Sequence, residues 1–116
     1  MQVQVHTDDK IHGGESLAQW AQSELQDRLA RFREHLTRVE VFLTDENSTK
    51  GGLDKRCRLE ARVAGRAPVA VTAEAEKVAE ALTKAADKLI HALDSDLGRA
   101  KDKNGHDTIR TQGAGE

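Results

Sequence analysis

Two hydrophobic periods alternate along the 116 residues of the chain. Residues 2–6, QVQVH, put Val3 and Val5 on one side and polar groups on the other, the period of two that predicts a short strand. A polar connection, TDDKIHGGES, follows. Leu17, Trp20, Ala21, Leu25, Leu29, Phe32 and Leu36 then recur at steps of three and four, which predicts an amphipathic helix of about twenty residues. Ser16 and Gln19 form an S-x-x-Q capping box for its start, and Trp20 and Phe32 read as core anchors.

The period of two returns in TRVEVFLT, residues 37–44, with Val39, Val41 and Leu43 inward and Arg38, Glu40 and Phe42 outward. A polar loop, DENSTKGGLD, leads to a third strand at 55–63. There Cys57, Leu59, Ala61 and Val63 alternate with Arg56, Arg58, Glu60 and Arg62. AGRA makes a turn, and PVAVTAE is a fourth strand, with Pro68 at its first residue, where a missing N–H is tolerated. Residues 75–97 predict a second helix with Val78, Leu82, Ala85, Leu89, Leu93 and Leu97 on its buried side and Gly98 as its stop. Residues 98–116 have almost no apolar content and are expected to form a disordered tail behind a single domain of residues 1–97.

The element order is thus β-α-β-β-β-α. A helix between the first two strands favours a right-handed parallel crossover, and short connections among the later strands favour an antiparallel meander. Each helix has one apolar stripe, so both should cover one face of the sheet. The expected fold is α+β, a four-stranded mixed sheet with two helices packed on one face. Gln2, Gln4, Arg38, Phe42, Arg56, Arg58 and Arg62 would lie on the other, open face.

Composition narrows the chemistry. Cys57 is the only cysteine, so no internal disulfide forms and a reducing compartment is the natural reading. It should point into the core as a small hydrophobe. No apolar run approaches the ~20 residues that span a bilayer, and the N-terminus lacks the charged and apolar regions of a signal peptide. The protein reads as soluble and cytoplasmic. The five histidines are scattered, and there is no zinc motif, phosphate loop, nucleophile elbow or dinucleotide fingerprint. No enzyme, metal site, cofactor or small-molecule substrate is expected, and the chain is expected to be a monomer.

Charge points elsewhere. Residues 55–66 hold five basic side chains against Glu60, a local +4 in a chain of net charge -2. On the second helix Lys77, Lys84, Lys88 and His91 fall within about 60° of one another. Glu80, Asp87 and Asp94 gather on a neighbouring strip. Residues 28–38 hold Arg28, Arg31, Arg33 and Arg38 against Glu34. Arginine suits phosphate because its planar fork donates two parallel hydrogen bonds. Two basic helix flanks side by side would make a phosphate-tracking groove, with salt-sensitive binding and weak sequence preference. With no tyrosine and with Phe42 the only aromatic placed on the open face, base stacking is minor, and shape recognition of folded RNA is favoured. For each cluster a solvated, internally paired charged face is the competing reading.

The MQVQV opening, the DRLARF run and AEKVAEALTKAADKLIHAL, in this order over roughly residues 1–97, resemble the ribosome hibernation-promoting factors, also called ribosome-associated inhibitor A or ribosomal subunit interface proteins. DKRCRLEAR looks like the mark of a divergent branch of short members. The resemblance implies binding to small-subunit ribosomal RNA in the mRNA and tRNA channel, holding the ribosome idle under stress. Arg28 and Arg31 match family RNA contacts on the first helix, Lys88 matches one on the second, and Arg99 is a further match. Where the family has more Arg or Lys along helix two, this chain has His91 and Ser95, with Asp94 and Asp96 nearby. The family's tyrosine near the start of that helix is replaced by KVAEAL. The dimerising second domain of long members is expected to be absent. The expected RNA contacts are therefore Arg28, Arg31, Lys77, Lys84, Lys88, His91 and Arg99, with Arg38, Arg56, Arg58 and Arg62 as auxiliary contacts. The alternative is a regulatory protein-interaction module on the same fold that has lost the ribosome, motivated by Glu80, Asp87, Asp94 and Asp96.

Overall fold

A computed structural model describes the backbone of residues 1–8, 11, 13–46 and 54–106, and the side chains of these up to residue 97. The elements are β1 (Gln2–Thr7), α1 (Gly14–Arg28), a 3-10 turn (Ala30–Phe32), β2 (Leu36–Asp45), β3 (Lys55–Val63), β4 (Val69–Ala75) and α2 (Val78–His106). The strands form one sheet in the order β1-β2-β3-β4. β1 runs parallel to β2, and the other two pairings are antiparallel. This is the expected mixed sheet, and its register explains the alternation. Val3 faces Val39, Val39 faces Ala61, Val41 faces Leu59, and Leu43 faces Cys57. All of these are buried on the face covered by the helices.

From α1 that face receives Ala21 and Leu25, and from α2 Ala81, Leu82, Ala85, Ala86, Leu89 and Leu93. These α2 positions recur at three and four residues, so a single stripe about 140° wide meets the sheet. Small residues at 81, 85 and 86 let the helix axis approach the strands closely, and leucines at 82, 89 and 93 fill the gaps between them.

Four local expectations are corrected. The first helix starts at Gly14 behind Gly13, which takes a left-handed φ of 118° and makes no side-chain cap. A Cβ at Gly13 would stand 2.9 Å from Leu17 Cβ, so the Gly-Gly pair, and not the Ser16 capping box, sets the entry. The helix then ends at Arg28, and the chain tightens into the 3-10 turn. Leu29 and Phe32 remain buried, because a three-residue period also stacks positions i and i+3. Trp20 is 37% exposed and is no core anchor, since it lies more than 100° around the helix from the Ala21–Leu25 line. Finally, α2 continues through Gly98 to His106. One glycine costs a helix only about 1 kcal/mol relative to alanine, less than a stop requires. Most of the expected 45–54 loop and residues 107–116 of the expected tail lie outside the described residues.

Cys57 is wholly buried, and desolvation pushes its thiol up from 9.0 to about 12. It should resist thiol reagents until the protein unfolds. The raised value also fixes a pH dependence. Below pH 9 both states hold the proton and the stabilisation is intact. Between pH 9 and about 12 only the folded state holds it, so stability falls by about 1.4 kcal/mol per pH unit. Urea titrations from pH 8 to 11 should show this slope in the wild type and lose it in Cys57→Ala. Equal slopes would contradict the assignment.

Candidate nucleic-acid interface

The packing of α2 on α1 and on β4 decides what its charged crest can do. On the side facing α1 the acidic strip meets Arg28 at the end of that helix and Arg31 in the 3-10 turn after it. Arg31 donates from both terminal nitrogens to Asp94, at 2.8 and 2.9 Å. Its Cζ lies over the Phe32 ring, 4.3 Å from the ring centre. Arg28 donates to Glu24 one turn back at 2.8 Å and to Asp87 across the cleft at 3.5 Å. Arg66, in the β3–β4 turn, donates to Asp96 at 3.0 Å. The Asp94 carboxyl is held below its ordinary range, first by the hydrogen bond from Arg31 and then by the charges of Arg31 and His91. The same bond raises Arg31.

On the opposite side α2 overhangs the sheet's edge. Lys88 donates to the Thr72 carbonyl at 2.8 Å and Lys84 to the Glu74 carbonyl at 3.4 Å. Both side chains reach over the rim of β4 and hold their ammonium groups there. In register beneath them, Thr72 faces Arg58 and Glu74 faces Arg56. A basic band thus runs from Lys84 and Lys88 around the edge to Arg56 and Arg58. Lys77 is exposed just before α2, where its carbonyl accepts the Ala81 N–H at 3.0 Å. His91 is exposed on the crest between the two sides. The Arg99 side chain lies outside the described residues.

The expected groove between two basic helix flanks is therefore corrected. Arg28 and Arg31 face the carboxylates of α2, while Lys84 and Lys88 lie on the far flank, so the structure does not gather these four into one groove. Reading each helix alone could not reveal this, because the acidic strip acquires its role only from the angle at which α2 packs.

The open sheet face carries Gln2, Gln4, Arg38, Phe42, Arg56, Arg58 and Arg62 as the alternation predicts, with His6, Glu40, Glu60 and Glu74 among them. Its arginines are partly spent on each other's neighbours. Arg58 donates to Glu60 at 2.8 Å, Arg56 stands 3.9 Å from both Glu46 and Glu74, and Arg38 bonds Gln4 and lies 3.4 Å from Glu40. Arg62, directly opposite Arg38, is exposed and makes no ion pair among the described residues. The ring of His6 stacks on Phe42, with centroids 4.8 Å apart at 16°. Nothing local to either residue signals this stack, since His6 and Phe42 meet only through the parallel β1–β2 register.

The model of the sigma 54 modulation protein / S30EA ribosomal protein family matches residues 3–104. The chain belongs to this family. Two solved structures share its fold. The N-terminal domain of Protein Y from Thermus thermophilus is 17% identical with a TM-score of 0.59, over 77% of this chain and 91% of that one. A ribosomal subunit interface protein from Coxiella burnetii is 16% identical with a TM-score of 0.54, over 87% and 98%. Comparison with curated proteins finds no match. At such identity the two structures speak for the fold alone, and the family match carries the ribosomal association. The S30EA match also runs past residue 97 along the continuous α2 helix. No helix among the described residues is long and apolar enough to cross a membrane.

Proposed function

We propose that the protein is a ribosome-associated translation inhibitor that lodges against small-subunit RNA in the mRNA and tRNA channel and holds the ribosome idle under stress. The observation that carries this reading is the family match over residues 3–104. A solved neighbour that shares the fold is described as a ribosomal subunit interface protein. On this reading Lys77, Lys84, Lys88 and His91 meet phosphate first, Arg56 and Arg58 extend the contact around the β4 edge, and Arg28, Arg31, Arg38, Arg62 and Arg99 complete it. The protein acts as a cytoplasmic monomer, with no cofactor, membrane or small-molecule substrate, and performs no chemistry.

Gradient sedimentation of a stationary-phase lysate tests the reading. The protein should travel with small subunits at low salt and leave them as salt rises, since each phosphate it neutralises adds about 0.7 to 0.9 to the log–log slope. A protein that stays at the top of the low-salt gradient overturns it.

One observation favours a second reading, a regulatory protein-interaction module. Asp87, Asp94 and Asp96 already hold Arg28, Arg31 and Arg66, so that side of α2 presents paired charge to a partner. Recovery of one protein partner without ribosomal RNA would favour it.

A further inference from the structure

The carboxylates that face Arg28 and Arg31 are placed as a phosphate would be. A guanidinium fork accepts carboxylate and phosphate oxygens in the same two-bond geometry, and Arg31 already gives both terminal nitrogens to Asp94. The Phe32 ring lies against that fork, its centre 4.3 Å from Cζ. Arg28 is shared between Glu24 and Asp87. All of these carboxylates keep partial solvent access, so none is locked in the core and each can be exchanged.

We propose that Asp87 and Asp94 are a built-in competitor for RNA phosphate, closing the Arg28 and Arg31 forks until a partner with closely spaced phosphates opens both. The inference rests on the small-subunit RNA reading and adds a selectivity filter to it. A lone phosphate exchanges one anion for another at Arg31 and meets repulsion from the freed Asp94, so it gains little. A folded RNA in which two strands converge brings several phosphates at once. Some engage Lys84, Lys88 and His91 on the unmasked flank, and that attachment holds others beside the α1–α2 cleft at high local concentration. Extended single strands and isolated phosphates are screened out, and compact RNA is admitted.

The test compares full-length wild type with Asp94→Asn, Asp87→Asn, the double variant, and Glu15→Gln. The last removes the same charge from an exposed site that pairs with no arginine among the described residues. Two probes are used: purified small ribosomal subunits and long-chain inorganic polyphosphate. Exposed ion pairs of this kind shift equilibria modestly, so Asp94→Asn should bind both probes about two- to five-fold more tightly. With polyphosphate its salt slope should steepen by up to about 0.9 as one more phosphate contact is made. Adding Arg31→Gln should erase the gain. Circular dichroism confirms that each variant is folded, and Asp87→Asn reads the same effect through Arg28 if Asp94→Asn does not fold. Unchanged or weaker binding of both probes overturns the proposal, as does an equal gain in Glu15→Gln. If subunits bind wild type and Asp94→Asn alike, the filter fails and the ribosomal reading stands. If no protein binds subunits but polyphosphate still shows the gain, the filter stands and the ribosomal reading falls.

Discussion

Exchanging Lys84 and Lys88 together for glutamate will release the protein from ribosomes. Both ammonium groups are held at the β4 rim by backbone carbonyls of the strand beneath, so little side-chain freedom remains to be lost when they meet phosphate. Each charged hydrogen bond lost costs roughly 1.5–3 kcal/mol, and the new carboxylates repel the phosphates that the ammonium groups would have met. The double glutamine variant, which only deletes charge, should weaken binding by about 100-fold, and the double glutamate variant by more than that. Both side chains are exposed, so melting temperature and circular dichroism should change little. Quantitative co-sedimentation with small subunits measures the effect, and a double glutamate variant that sediments like wild type refutes the placement of this flank at the RNA.

The largest effect on stability is expected at Leu59. It sits mid-sheet on β3 between Val41 and Val71, is wholly buried, and lies beneath the helical layer. Leu59→Ala removes the transfer energy of three carbons and leaves a cavity that four paired strands cannot close. The expected loss is roughly 2–5 kcal/mol, a large part of the roughly 5–15 kcal/mol available to a small domain. The midpoint of melting should drop by about 10 °C or more. Circular dichroism is the suitable probe, because the single tryptophan, Trp20, is already 37% exposed and reports weakly on unfolding. By contrast Arg62→Ala, on the open face, should stay within about 0.5 kcal/mol of wild type.

The strands were legible because burial on one face forces a strict alternation that survives without any tertiary knowledge. Val39, Val41 and Leu43 predict the inner face of β2, and β3 falls at residues 55–63 as the alternation of Cys57, Leu59 and Ala61 with arginines demands. Helix ends were less legible. The spacing Leu25, Leu29, Phe32 satisfies both a 3.6-residue and a 3-residue period, so apolar pattern alone misses the change at Arg28. Trp20 misleads because size and hydrophobicity argue for the core while its angle on α1 argues against it. The candidate site was half legible. Which residues carry charge is written in the chain, and one periodicity pairs Lys84 with Lys88 and another Arg56 with Arg58, but that the two pairs meet at the β4 edge depends on how α2 packs. The clasp of Arg31 by Asp94 joins residues 63 positions apart, and nothing local to either predicts that they meet.

The same lysines have a consequence for how the molecule behaves alone. An open sheet offers a sticky border on each side, where a strand from another copy could zip on and seed fibrils. Here Lys84 and Lys88 occupy carbonyls along one border, and Gln22 from α1 occupies the Val3 carbonyl on the other, at 3.2 Å. Crowded copies should therefore remain separate and soluble, and stripping those three side chains should shorten the lag before thioflavin-positive aggregates form.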